Sequence, residues 1–242
     1  MRIDILTLFP EMLSGPLDRS LIKKARDNGL MKIEIHDIRE HSSDKHKTAD
    51  DTPYGGGPGM VMKADVLFKA LESIEPSKKR KVIFMCPTGE KLSQEKIKAL
   101  SKQEHLIILC GHYEGIDQRV IDQLVDEEIS IGDYVLTGGE LPAMVLVDAV
   151  ARMLPGVVKE SQSVAQDSFY QGLLDHPHYT RPEKVGKAAV PKELLSGNHK
   201  EIAGWRRKEA LKRTFLKRSD LLAEGLSLKQ DRDFLTEILS EK

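Results

Sequence analysis

Four stretches of this chain concentrate residue types that hold ligands or move protons. The first, Asp50-Asp51-Thr52-Pro53-Tyr54-Gly55-Gly56-Gly57-Pro58-Gly59-Met60, sets four glycines within five residues. It has neither the Gly-x-Gly-x-x-Gly spacing of a dinucleotide site nor the Gly-Lys-Ser/Thr ending of a P-loop. Such a loop still lets a ligand come close to the backbone, and its N–H groups can hold phosphate. The second and third are Gly111-His112-Tyr113-Glu114-Gly115-Ile116-Asp117 and the glycine-bearing run from Ile131 to Pro142. Backbone groups in such loops can read the edge of a heterocycle. The fourth, Asp167 to Pro182, gathers Asp167, Asp175, His176, His178, Tyr179 and Arg181. It lacks the Gly-x-Ser-x-Gly elbow of a serine nucleophile. His176 and His178 stand two apart without further ligands, which is weak for a metal, and turn chemistry around the two prolines is the bland alternative.

These stretches need a frame. Apolar runs at Ile3–Phe9, Lys81–Cys86 and His105–Cys110 read as strands, the last two covered on both faces as in a parallel sheet. Lys32–Ile38 alternates as a half-buried strand, and Glu127–Ile131 is another. Helices are expected over Glu11–Asn28 with Gly29 closing it, Ala64–Ile74, Ser93 to about Lys102, Asp117–Leu124 and Leu141–Leu154. This βαβα rhythm predicts an α/β domain with a mainly parallel sheet. The second and third loops, and Pro87-Thr88-Gly89, then fall at the C-terminal ends of strands, where open α/β sheets bind ligands, and suggest one shared pocket. Pro155–Gln171 is polar and aperiodic and reads as a mobile linker. A small α-helical domain follows, with a long helix from about His199 to Lys217 capped by Asn198 and a second over Leu226–Leu239.

The whole-chain charge of −1 over 242 residues excludes a uniformly basic nucleic-acid binder, but it hides a segregation. Glu104–Glu140 holds nine acids and one cation, Arg119, whereas Asn198–Arg218 holds eight Lys/Arg and two acids. That basic helix, with Trp205 inside it, suits a phosphate backbone, a solvated face being the commoner explanation of a charge run alone. The start Met1-Arg2-Ile3-Asp4 is not expected to be a signal peptide, because Asp4 interrupts any apolar core, and the longest apolar run is expected as a buried helix, because Asp148 and Arg152 interrupt it. Cys86 and Cys110 each close an apolar run and are expected as buried free thiols of a cytoplasmic protein.

Read in order, LTLFPEM (Leu6–Met12), DDTPYGGGPGM (Asp50–Met60), CGHYEGID (Cys110–Asp117), SIGDYVLTGGELPAM (Ser130–Met144), DSFYQGLLDHPHYTRP (Asp167–Pro182) and LLSGNHKEIAGWRRKEALKRT (Leu194–Thr214) span nearly the whole chain. Together they resemble the bacterial tRNA (guanine-N1)-methyltransferases, TrmD-type members of the SPOUT superfamily. The resemblance implies an α/β domain threaded into a deep trefoil knot (1–158), a linker or lid (159–172) and a helical tRNA-binding domain (173–242). The sequence pattern alone argues against such a topology, since knots are nearly absent from proteins.

By the same resemblance S-adenosylmethionine is held by Met85, Cys86, Pro87, Gly111, Glu114, Ile131, Gly132, Asp133, Tyr134, Val135, Leu136, Gly138, Gly139 and Pro142. The implied substrate is the guanosine 3′ of the tRNA anticodon, preceded by another guanosine, in a homodimer whose two active sites each use both chains. tRNA contacts are expected from Asp50, Gly55, Gly56, Gly57, Gly59, Asp175, Arg181, Arg206, Arg207 and Lys208. Guanine N1 is a poor nucleophile until its proton leaves, so a carboxylate is needed, and the resemblance points to Asp167. The negative charge passing to O6 needs a cation, for which Arg152 is the candidate, helped by the magnesium the family uses. Two other readings stand beside this one: a related knotted methyltransferase with another RNA target, and an RNA-binding protein without catalysis. A ribose methyltransferase would need no base-deprotonating Asp167.

Overall fold

The computed structural model describes residues 1–75, 79–159, 161–222 and 229–240. The chain divides into two compact units, Met1–Ser161 and Gln162–Lys242. Unit 1 runs β1 (Arg2–Thr7), α1 (Ser20–Asp27), β2 (Lys32–Asp37), β3 (Asp50–Asp51), β4 (Val61–Met62), α2 (Ala64–Glu72), β5 (Arg80–Lys91), α3 (Gln94–Leu100), β6 (His105–Cys110), α4 (Gln118–Leu124), β7 (Glu127–Ser130) and α5 (Glu140–Met153). Five strands form one sheet in the order β2-β1-β6-β5-β7, with every pairing parallel.

The two-residue period of the strands sorts the core. Ile3, Ile5, Leu106, Ile108 and Ile83 join one buried cluster with Ala25 of α1, Ile97 of α3 and Leu146 of α5. Leu6, Ile107, Leu109 and Phe84 face the other way, into a cluster with Leu67 of α2 and Val120 of α4. Every residue of β6 is buried, as a central strand between two helical layers requires.

Helix ends follow side-chain chemistry. Ser93 accepts from the Lys96 N–H at the start of α3, and Asp117 from the Arg119 N–H at the start of α4. Gly29 closes α1 as expected: its N–H donates to Arg26 and that of Leu30 to Ala25, at 3.0 and 2.9 Å.

Three expectations are corrected. The helix over Glu11–Asn28 is broken at Gly15-Pro16 into two 3₁₀ turns, Pro10–Leu13 and Pro16–Asp18, and α1, because proline offers no N–H and clashes with the preceding turn. β5 runs past Cys86 to Lys91, with a bulge between Met85 and Glu90, so Pro87-Thr88-Gly89 belongs to a strand and not to a loop after it. The stretch expected as an aperiodic linker contains α6 (Ser161–Gln166).

Unit 2 adds a hairpin, β8 (Lys184–Val185) with β9 (Ala188–Ala189), and the helices α7 (Lys192–Leu195), α8 (His199–Lys217) and α9 (Lys229–Ser240). Asn198 caps α8 by accepting from the Lys200 and Glu201 N–H groups. Of the second tail helix, expected over Leu226–Leu239, residues 226–228 lie outside the described residues. Thr214 and Leu211 of α8 are fully buried, with Asp231 and Ile238 of α9 nearly so. No described helix is long and apolar enough to cross a membrane.

Candidate active site

The loops after β6 and β7 and the bulge of β5 line one cavity of about 400 Å³ in unit 1. That volume lies within the small-molecule range of about 300–1,000 Å³. Every residue expected at the cofactor lines it except Asp133, whose carboxylate instead accepts from Lys91 Nζ at 2.8 Å. The wall also includes Thr88, His112, Tyr113 and Thr137, which lie in the loops expected to share the pocket though not named for the cofactor, and Phe84, Gln118, Glu128 and Ser130, which lie outside those loops. Thr88 and Glu128 come from neighbouring strands, a pairing that no local motif signals. Cys110 is fully buried, whereas Cys86 is only half-buried on the cavity wall, its thiol pushed up by burial and by Glu128.

The walls are joined by close backbone approach. The Gly139 N–H donates to the Gly111 carbonyl at 2.9 Å, and His112 pairs with Gly138 in an antiparallel bridge. A Cβ on Gly139 would lie 2.7 Å from Cys110 Cα, and one on Gly138 would lie 2.1 Å from His112 Nε2. These glycines are there for space. Below the bridge, Glu140 is fully buried and takes Thr7 Oγ1 at 2.6 Å and His112 Nε2 at 2.9 Å.

The glycine-rich loop at 52–60 hangs between β3 and β4, which pair antiparallel. It is stapled to the cavity wall, since Glu114 N–H donates to Met60 and Met62 N–H to Gly115, both at 3.0 Å. Gly55, Gly56, Gly57 and Gly59 all take positive φ, a backbone that side chains resist. Asp50, in β3, is half-buried and Tyr54 is fully exposed at the loop tip.

Arg152 does not line the cavity; it is half-buried in the last turn of α5. Pro142, which does, stands ten residues earlier, about 15 Å along the helix axis at 1.5 Å per residue.

In unit 2 Asp167, Asp175, His176 and Arg206 line one pocket of about 340 Å³. His176, Arg206, His178, Tyr179 and Arg181 line a second of about 690 Å³. Asp167 follows α6, its N–H donating to Val164 and its carbonyl accepting from Tyr170. The Leu174 N–H donates to Thr214 Oγ1 at 2.9 Å and Arg213 to the Asp175 carbonyl at 3.2 Å, which ties this segment to α8. Asp175 is bonded by His176 Nδ1 and His178 Nε2, both at 2.7 Å. Burial raises the Asp175 carboxyl, but hydrogen bonds from His178 and the His176 backbone outweigh it and hold it below the usual range. Burial, with Arg206 and His178 nearby, lowers His176.

The basic helix is less free than its charge suggests. Arg207 makes a two-pronged pair with Asp231, at 2.8 and 2.7 Å, and Lys208 reaches Glu237 at 2.8 Å. Both are expected at tRNA; in the structure they lie in ion pairs between α8 and α9, which share a face and bury Asp231. Arg206 keeps its place on the two pockets.

Against known proteins, the family model described as tRNA (Guanine-1)-methyltransferase TrmD matches residues 1–224. A tRNA (guanine-N(1)-)-methyltransferase of Desulforamulus reducens is 54% identical over 241 residues, covering 98% of this chain and 95% of the relative. Those so named from Dictyoglomus turgidum and Bacillus subtilis are 52% and 49% identical, covering 100% and 98% of this chain and 98% of each relative.

Proposed function

The chain belongs to the tRNA (guanine-1)-methyltransferase family, TrmD, and on that premise we propose that it methylates N1 of the guanosine 3′ of the tRNA anticodon, using S-adenosylmethionine. The observation that carries the reading is the shared cavity of unit 1, walled by the residues matched to the family's cofactor site.

The cavity fits the group. Gly111, Gly138 and Gly139 keep it open where a Cβ would collide, while Ile131, Leu136 and Pro142 give it apolar walls and Glu114 a carboxylate. When bound, the cofactor supplies a methyl group made electrophilic by its sulfonium. The chain's own residues do the rest. Asp167 would accept the proton of guanine N1 and so free the N1 lone pair as the nucleophile for that methyl group. Arg152 faces the negative charge that passes to O6.

The separation of Arg152 from the cavity of its own chain favours a homodimer in which a second copy completes each site. Leu141 and Val145, both about half exposed on one side of α5, and Met12 in the turn packed on α5, offer an apolar face for that copy. The chain after β7, at the sheet edge, returns past β5 to join the loop after β6, a path that suits the trefoil knot of this family. Residues 159–172 act as a lid and 173–242 as the tRNA-binding domain, in the cytoplasm. Asp50, the loop glycines, Asp175, Arg181 and Arg206 meet the tRNA. Among the described residues, the two clusters of potential metal ligands, Asp175-His176-His178 and Asp4-Glu34-His36, mix imidazole with carboxylate. Magnesium held through one or two carboxylates and substrate phosphates needs no such cluster, and no step above depends on it.

The test is transfer of labelled methyl from S-adenosylmethionine to tRNA transcripts that carry the target guanosine or an adenosine in its place. Label is expected in the first only. Equal labelling of both, or none in either, overturns the assignment; tRNA binding without transfer would favour a non-catalytic binder.

A further inference from the structure

We propose that His112 is a positioning residue of the cofactor cavity, held there by a buried hydrogen-bond relay through Thr7 and Glu140. The proposal rests on the reading of that cavity as the S-adenosylmethionine site. It goes beyond it by giving a role to three residues that none of the cofactor, base or tRNA assignments uses.

The direction of the relay follows from its donors. The Phe9 backbone N–H donates to Thr7 Oγ1 at 2.9 Å, so the Thr7 hydroxyl spends its own proton on Glu140 Oε1 at 2.6 Å. The other carboxylate oxygen, Oε2, lies 2.9 Å from His112 Nε2 and accepts from it. Nε2 therefore carries the proton committed to Glu140, and Nδ1 is the other nitrogen of a ring that lines the cavity.

Thr7 and Glu140 are completely buried, so the carboxylate has no water to turn toward and its two protein donors fix it. The ring is held as well: Phe9 packs on it with centroids 4.7 Å apart, and the Arg39 guanidinium lies over Phe9 at 5.9 Å. The backbone is shaped to admit the pair, because a Cβ on Gly138 would sit 2.1 Å from His112 Nε2 and 2.5 Å from Glu140 Oε2. The relay thus joins the end of β1, the first residue of α5 and the loop after β6. It ties the 111–115 wall of the cavity to the 138–140 wall by side chains, beside the backbone bond from Gly139 to Gly111.

The experiment combines calorimetric binding of S-adenosylmethionine, kcat and KM for methyl transfer, and ¹⁵N spectra of the imidazoles. His112→Ala is expected to weaken cofactor binding on the order of tenfold, as loss of an orienting partner does elsewhere. KM for the cofactor should rise in step while kcat changes less. His112→Gln, whose amide nitrogen replaces Nε2 as donor, is expected to bind within about threefold of the parent chain. In Glu140→Gln the amide oxygen stays with the Thr7 hydroxyl and the amide N–H₂ faces Nε2. His112 must then accept at Nε2 and carry its proton on Nδ1, a tautomer change the ¹⁵N shifts read directly. The double variant His112→Ala/Glu140→Gln should be no weaker than the weaker single one, since one residue acts through the other.

Unchanged ¹⁵N shifts of His112 in Glu140→Gln, or cofactor binding by His112→Ala within twofold of the parent chain, overturn the positioning role. Failure of the parent chain to bind S-adenosylmethionine overturns the underlying reading of the cavity instead, and the tautomer measurement separates the two failures.

Discussion

In the proposed reaction Asp167 accepts the proton of guanine N1, and it is not among the residues that line the cavity of unit 1. Asp167→Asn keeps the shape and removes the basicity, so methyl transfer in a single turnover should fall by roughly 10²–10⁴-fold. Calorimetry should meanwhile show cofactor binding unchanged within about twofold. Activity surviving within about tenfold, or ~1.4 kcal/mol of barrier, would sink the assignment. At this scale the sequence was a good guide wherever backbone made the site. Gly111, Gly132, Gly138 and Gly139 announced a cavity because few other demands explain so many glycines near strand ends. It was a poor guide to side-chain partners. Asp133 sits within the right loop but turns to Lys91, and Arg207 finds Asp231 some twenty residues on, a choice made by tertiary packing and invisible to a count of charges.

At the scale of elements, periodicity located strands and helices well, and failed where one residue overruled a pattern. Pro16 divides the first expected helix, and the bulge of β5 carries that strand past its apolar run into polar residues. A second element-scale feature had no motif at all. Asp4 of β1, fully buried, accepts from His36 of β2 at 2.7 Å, His105 of β6 at 2.6 Å and Arg2 at 2.7 Å, clamping three adjacent strands. Burial alone would raise its carboxyl, but the bonds from His36, Arg2 and His105 outweigh this and hold it far below the usual range. An unfolded aspartate titrates near a pKa of about 3.9. The clamp's stabilisation is therefore complete above that value and is lost as the pH falls toward the folded carboxyl's own. Asp4→Asn should lower the unfolding free energy at pH 7 by roughly 1.5–3 kcal/mol. Denaturant titrations of both chains from pH 7 to pH 2.5 should show the gap between them narrowing below about pH 4. A gap that stays constant over that range would mean the carboxyl is not held in this way.

For the whole molecule, a net charge of −1 is the residue of an acidic stretch around the loops of the unit 1 cavity and a basic helix in unit 2. Much of that helix's charge is paired within the unit. Arg207 and Lys208 pair with α9, Arg218 with Asp220, and Arg213 donates to the Asp175 carbonyl. Counterions are released only by cations that replace them at phosphates, so these internal pairs should count for less in the salt dependence of tRNA binding than Arg206, which lines both pockets of unit 2. Binding measured across a salt series should show Arg206→Ala reducing the slope of log K against log salt by roughly 0.7–0.9, the share of one phosphate contact. Lys208→Ala should leave the slope nearly unchanged, because the ammonium it removes is already matched by Glu237. Equal loss of slope in the two variants would mean that tRNA pulls Lys208 out of its ion pair, and the basic helix would then act as the undivided phosphate grip that its composition suggests.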